Sequence, residues 1–195
     1  MDALICRSCQ KSYSLDEPRW RCSCGGLLDI RFTPRLDIKA LSARKPDLWR
    51  YREAIPLPAD APVISLGEGF TPLLPLEVDG RPVWIKQDYL FPTGSYKDRG
   101  AAVLISKAAQ LGVRTVVEDS SGNAGSAVAA YCARAGIGCT IYVPEHTSAA
   151  KLAQILWYGA RLVRVPGSRE DTAWAVMSAA ETTFYASHSW NPFFF

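Results

Sequence analysis

The sequence predicts an α/β protein, an open parallel sheet with helices on both faces, preceded by a small Cys-rich module. Three observations carry that prediction. From Lys97 onward, helical stretches alternate with short β-branched runs, and single helices between strands indicate crossover units in a parallel sheet. Three junctions share one form: Leu111-Gly112-Val113, Ala135-Gly136-Ile137 and Tyr158-Gly159-Ala160. Each reads as a helix stopped by glycine and followed by a strand. Four cysteines, Cys6, Cys9, Cys22 and Cys24, crowd the start of the chain, apart from Cys132 and Cys139.

Residues 1–32 read as the Cys-rich, zinc-ribbon-like module and 33–62 as a linker. The linker holds Pro34, Pro46, Pro56, Pro58 and Pro62, with a short helix expected over 46–54. Leu66–Leu73 is rich in turn residues. Asp79-Gly80 is a hairpin signal, followed by a strand over 83–86. Arg99–Leu111 is helical, with Leu104, Ala108 and Leu111 on one face. A strand is expected over 113–118 and a helix over 123–135. A second strand and helix follow over 139–143 and 148–158, the helix with Leu152, Ile155 and Leu156 inward. A third strand spans 160–165. Ser168 opens the last helix with Asp171 three residues on, an approximate capping box. Trp174 and Met177 mark its buried side, and 184–187 is the last strand. Helix 123–135 is almost entirely small residues and is placed against the sheet.

Composition narrows the classes. Apolar residues are 48% and charged residues 21% of 195, with a net charge of +3. That balance excludes a wholly disordered chain and gives no evident nucleic-acid partner. No run is apolar enough to span a membrane. The start, Met1-Asp2-Ala3-Leu4, shows no secretory signal, so a cytoplasmic location is expected.

Cys6, Cys9, Cys22 and Cys24 follow the pattern C-x2-C-x12-C-x-C, with Gly25-Gly26 next. Four soft ligands in two close pairs suit structural tetrahedral zinc, leaving no open position for catalysis. Two disulfides, or a knuckle that has lost its metal, remain alternatives. Cys132 and Cys139 read as small buried apolar residues. His146 and His188 have no carboxylate or cysteine at ligand spacing and read as loop or strand-end residues.

Two segments offer chemistry. Ligands of an open parallel sheet bind at the carboxyl ends of its strands. There, Asp119-Ser120-Ser121-Gly122-Asn123-Ala124-Gly125 offers backbone N–H groups, two hydroxyls and an amide at a helix N-terminus, which is an anion cradle. An ordinary capped strand-to-helix turn is the alternative. In Pro92-Thr93-Gly94-Ser95-Tyr96-Lys97-Asp98-Arg99-Gly100, a turn leads into a helix with Lys97 in its first turn, where the macrodipole disfavours a cation. A neutral lysine amine can form a Schiff base with a carbonyl. The alternative is an exposed Lys97 beside a solvated Asp98.

Leu66-Gly67-Glu68-Gly69-Phe70-Thr71-Pro72-Leu73, then Pro92–Gly100, then Ser120–Gly125 occur in that order. Together they resemble the threonine synthase family and its fold-type-II pyridoxal-phosphate relatives, which share a tryptophan synthase β-like fold. The resemblance runs from about Val63 to Phe195, and the Cys-rich start is similar to a knuckle on some members. It implies that Lys97 holds pyridoxal phosphate through a Schiff base. Asn123 would bond the cofactor's ring hydroxyl, and Ser120, Ser121 and Gly122 would receive the substrate α-carboxylate. Tyr96 stands where the family usually has Phe.

The implied reaction is conversion of O-phosphohomoserine and water to threonine and phosphate by a carbon–oxygen lyase. The implied cofactors are pyridoxal phosphate and a structural zinc at Cys6, Cys9, Cys22 and Cys24. The implied partner is a small amino-acid substrate, with no nucleic acid or membrane and with a homodimer open to the complete protein. By the same resemblance, 63–97 begins a large domain, 98–188 is the small α/β domain, and 189–195 is a truncated return segment. The family's glycine-rich phosphate loop has no match after Lys97, so the chain alone is expected to be inactive. The apolar end Phe193-Phe194-Phe195 is expected to need cover from further chain. The competing readings are a related dehydratase or β-replacement enzyme, and a non-catalytic remnant that binds a small anion or a protein.

Overall fold

The computed structural model describes residues 2–195. The Cys-rich start forms three short antiparallel strands that the sequence reading left unassigned. These are β1 (Ala3–Cys6), β2 (Ser12–Tyr13) and β3 (Leu28–Arg31), in the order β2-β1-β3. Strands of two to four residues carry too little periodicity to be read from sequence. The helix expected over 46–54 is a 3-10 segment, Leu48–Ala54, with Asp47 accepting from the Trp49 N–H. A second 3-10 segment spans Ile38–Ala43.

β4 (Leu73–Val78) and β5 (Arg81–Lys86) form an antiparallel hairpin. Asp79 and Gly80 both take positive φ, +50° and +72°, which is the geometry of a two-residue primed turn. The hairpin expected at Asp79-Gly80 is present; its second strand begins at Arg81 and not at 83, and its first strand takes in Leu73 from the turn-rich segment.

The main sheet follows the expected alternation. α1 (Lys97–Gln110) precedes β6 (Thr115–Glu118), α2 (Asn123–Ala135), β7 (Gly138–Pro144) and α3 (Ala149–Trp157). β8 (Arg161–Val165), α4 (Arg169–Ala179) and β9 (Phe184–Tyr185) complete it. All four strands are parallel, in the order β8-β7-β6-β9. The chain steps outward from β6 to β8, then returns past two strands to place β9 beside β6. Right-handed crossovers put α2 and α3 on one face and α4 on the other. The packing agrees: α2 touches α3 and β7, and α4 lies across β6, β7 and β8.

Side chains alternate across the sheet as period 2 requires. Val116 joins a core with α1 and α2, whereas Val117 joins Val176 and Tyr185 on the α4 face. Ile141 and Val143 pack under Leu152 and Ile155 of α3, with Tyr142 turned the other way. The small residues of α2, including Ala124, Ala127 and Ala130, are buried and let α1 lie close along it. Gly136 closes α2 at φ +67°, a left-handed cap that glycine adopts without a Cβ penalty. Ser168 and Asp171 form the full capping box of α4.

Three expectations fail. Trp174 is 72% exposed and Leu156 53%; each lies on the outer side of a helix whose inner face is filled by other residues, Val176 and Ile155 among them. Phe193 and Phe194 are buried in the core with α1 and α2, and only Phe195 is exposed. The chain's own fold covers them. Gly100 on α1 makes the room, because a Cβ there would collide with Phe194.

The Cys-rich module shares this core. Leu4, Cys6, Tyr13, Cys22 and Leu28 belong to the same buried cluster as Leu104 and Ile105. Among the described residues, no helix is long and apolar enough to cross a membrane.

Candidate active site

The turn before α1 is built around a buried carboxylate. Asp98 accepts from the Thr93 N–H at 2.9 Å and from the Thr93 hydroxyl. Burial raises the Asp98 pKa, partly offset by these two bonds. From the far helix α3, Gln154 donates its amide to the Thr93 carbonyl at 3.0 Å. Gly94 takes φ +81°, and the turn delivers Lys97 as the first residue of α1.

Lys97 is half-buried, neither the free surface lysine nor a sealed one. Its Nζ lies 4.4 Å from the Tyr96 ring centroid and 6.0 Å from that of Phe194. It opens into a cleft of about 900 Å³ lined also by Tyr96, Gly100, Val103, His188 and Phe194.

The second predicted segment sits at the carboxyl end of β6. Ser120 and Ser121 are half-buried, and Gly122 and Asn123 are exposed. Asn123 begins α2, so the N–H groups of Asn123, Ala124 and Gly125 face no intrahelical carbonyl. The first helical bond runs from the Ser126 N–H to the Gly122 carbonyl. Gly125 lets the loop fold onto the helix; a Cβ there would collide with the Ser120 carbonyl. The four loop residues Ser120, Ser121, Gly122 and Asn123 do not line the Lys97 cleft. The two segments are joined through the packing of α1 on α2.

Sequence reasoning missed a buried polar group beside both segments. His188 is not a simple strand-end residue. Its Nδ1 is 2.5 Å from Glu118 Oε1, and Glu118 is fully buried with Oε2 unpartnered. The next residue, Asp119, accepts from the Tyr185 hydroxyl at 2.7 Å and pairs with Arg169 at 2.6 Å. Burial pushes the Glu118 pKa up, and the Glu118 carboxylate raises that of His188. The partners are distant in sequence and meet only because β9 pairs with β6. Alternating strand ends at a sheet's carboxyl edge were the only available signal.

The four N-terminal cysteines do gather. All their Sγ atoms lie within 4.8 Å of one another, with Cys6–Cys24 at 3.6 Å and Cys9–Cys22 at 3.5 Å. Disulfide sulfurs would be about 2.05 Å apart. The edge of a zinc tetrahedron with bonds of about 2.3 Å is roughly 3.8 Å, so the set fits that metal. The Ser8 and Cys9 N–H groups donate to Cys6 Sγ at 3.4 and 3.5 Å. The Tyr13 hydroxyl lies 3.0 Å from Cys22 Sγ. Donors to sulfur, the Cys24 N–H first and then Tyr13, draw the Cys22 thiol down to about 5.

Cys132 is buried and Cys139 half-buried, both in the core near α2 and β7.

Comparison with known proteins places this arrangement. A family model for pyridoxal-phosphate dependent enzymes matches residues 64–195. Threonine synthase from Methanocaldococcus jannaschii is 38% identical over 96% of this chain and 49% of its own length. That from Methanosarcina acetivorans is 33% identical over 97% of this chain, again 49% of its length. The chain thus spans about half the length of these curated relatives. Among solved structures, an O-ureido-L-serine synthase superposes with a TM-score of 0.55 at 29% identity, covering 60% of this chain and 40% of the synthase. A pyridoxal 5'-phosphate-dependent aspartate racemase gives 0.55 at 30%, over 60% of this chain and 39% of the racemase. The chain belongs to the family of pyridoxal-phosphate dependent enzymes.

Proposed function

We propose that this chain carries the lysine-bearing half of a carbon–oxygen lyase of the threonine synthase type, acting on O-phosphohomoserine. The observation that carries the reading is Lys97. It is fixed at the head of α1 by the Thr93–Asp98 turn and opens into an aromatic-walled cleft between α1, residues 192–195 and the Cys-rich module. The near full-length match to threonine synthases supports the choice within the family.

The surroundings of Lys97 fit pyridoxal phosphate, whereas Ser120–Asn123 lie outside its cleft and are assigned to the cofactor and substrate by the family resemblance. A half-buried amine beside aromatic rings can hold an aldehyde as a Schiff base, and Tyr96 and Phe194 supply the rings. Asn123 would bond the cofactor's ring hydroxyl, and Ser120, Ser121 and Gly122 would receive the substrate α-carboxylate on first-turn N–H groups. When bound, the cofactor supplies an electron sink for charge at the substrate α carbon. Lys97, as the base within reach, would move protons at the α and β carbons. Phosphate leaves from the γ carbon and water adds at the β carbon.

Structural zinc at Cys6, Cys9, Cys22 and Cys24 belongs to the same reading. Free thiols gathered for a metal suit a reducing compartment, which extends the reading to the cytoplasm. The reading includes a homodimer for the complete protein and divides the chain as 1–32, 33–62, 63–97, 98–188 and 189–195.

Borohydride reduction after incubation with pyridoxal phosphate tests the proposal. A cofactor adduct on the Lys97 peptide, lost in Lys97→Ala, is expected. A folded chain that gives no adduct there overturns it.

A further inference from the structure

Beyond the core that it shares with α1, the Cys-rich module meets the rest of the chain at two further points. Asp16 accepts from the Lys107 ammonium and the Gln110 amide of α1, both at 3.3 Å. The Lys107 side chain is wholly buried, while Asp16 is largely exposed. The other point is Trp20, two residues before Cys22. Its ring is buried in the α4-face core with Val117, Val176, Ala180 and Tyr185. It meets Tyr185 edge-on at 5.0 Å and Trp190 at 5.7 Å.

Tyr185 is the next link. Its ring lies against Trp20, and its hydroxyl donates to Asp119, the residue immediately before Ser120-Ser121-Gly122. Its carbonyl accepts from the Asn191 amide, which fixes the segment after β9. One ring contact, Trp20 on Tyr185, and one buried hydrogen bond, Tyr185 to Asp119, therefore join the four-cysteine centre to the loop at the end of β6.

We propose that Trp20 is a positioning residue that transmits metal occupancy of Cys6, Cys9, Cys22 and Cys24 to Asp119 and the Ser120–Gly122 loop. The switching element is the knuckle itself. Short strands around a metal hold their shape only while the metal is bound. With Cys22 and Cys24 tied, the chain at Trp20 is fixed and its ring wedges against Tyr185. With the tie cut, the ring loses its anchor, and the Tyr185–Asp119 bond loses the packing that aims it. Loss of one aromatic pair is expected to change local opening by severalfold to about tenfold. The proposal concerns loop order, and rests on the pyridoxal-phosphate reading only for its catalytic consequence.

Amide hydrogen exchange on the full chain tests it, with zinc content measured in parallel. Chelation should speed exchange at Gly122, whose N–H bonds the Ser120 hydroxyl, and at Ser126, whose N–H bonds the Gly122 carbonyl, by about tenfold, while Ile141 and Val143 of β7 hold. Trp20→Ala should loosen the same loop with zinc fully retained, and Trp20→Phe should restore most of the protection. Tyr185→Phe should loosen the loop with both zinc and Trp20 in place. A chain that binds no zinc overturns the proposal. So does a loop unchanged in Trp20→Ala. If chelation or Trp20→Ala unfolds the chain, Tyr185→Phe decides: an unchanged loop there overturns the proposal. A missing adduct on Lys97 would sink the cofactor reading and leave these exchange rates as they are.

Discussion

The hairpin β4–β5 and the parallel sheet β6–β9 are both rich in apolar residues, yet they hold them differently. In the sheet, Val116, Ile141 and Val143 face α1, α2 and α3, while Val117 and Tyr185 face α4. In the hairpin, Leu73, Leu74, Leu76, Val78, Trp84 and Ile85 are all exposed. A parallel sheet is covered on both faces because its crossovers lay helices there. A two-residue turn brings no such cover, and a lone two-stranded ribbon is marginal in water. Apolar sequence alone does not make a core; connection length decides what can cover it.

That contrast can be broken most sharply at α3. Leu152→Ala removes a fully buried side chain from the cluster with Ile141 and Ile155. It should cost about 2–5 kcal/mol, read as a lowered urea midpoint. The buried charges at the sheet's carboxyl edge come next. His188 has its pKa raised above 6.5 by Glu118, with Asp119 adding and burial and Lys97 opposing. The native state thus binds the proton more tightly than the unfolded chain. Its stabilisation is complete below about pH 6.5 and fades as pH rises through the raised value. Glu118, raised by burial, acts in the same direction. Urea midpoints of the wild type should fall relative to His188→Gln as pH rises above neutral; parallel curves would remove the pair from the account. The smallest effect belongs to the hairpin. Leu76→Ser should leave stability within about 0.5 kcal/mol, and a larger loss would mean that the hairpin face is covered in solution.

The same contrast explains what the sequence could reveal. Helix α2 is bounded by a Gly-Asn turn and Gly136, and its expected limits match the observed ones. The glycine stops at Gly112, Gly136 and Gly159 all take positive φ. These are local signals, readable within a few residues. Trp174 and Leu156 were assigned inward by helical spacing, but spacing gives a face and not its width. The Glu118–His188 contact had no local signal, since it depends on where β9 pairs. The cysteine spacing was legible as a cluster, whereas Trp20, whose ring docks the module, had no motif to mark it. Lys97 and the Ser120–Asn123 loop are readable as turns into helices; that the loop lies outside the Lys97 cleft is not.

The return of β9 past two strands also sets an order of events during synthesis. β6, β7 and β8 can pair in turn as they emerge, each with the strand before it. The far edge of β6 must wait for Phe184 and Tyr185, which arrive after α4. Long-range pairing of this kind is slow because loop closure comes before its reward. The carboxyl edge of the sheet, with Glu118 awaiting His188 and Asp119 awaiting Tyr185, is therefore among the last parts to close. Until then it carries two acidic groups without their partners, so this edge of the sheet takes its final form only after β9 has emerged.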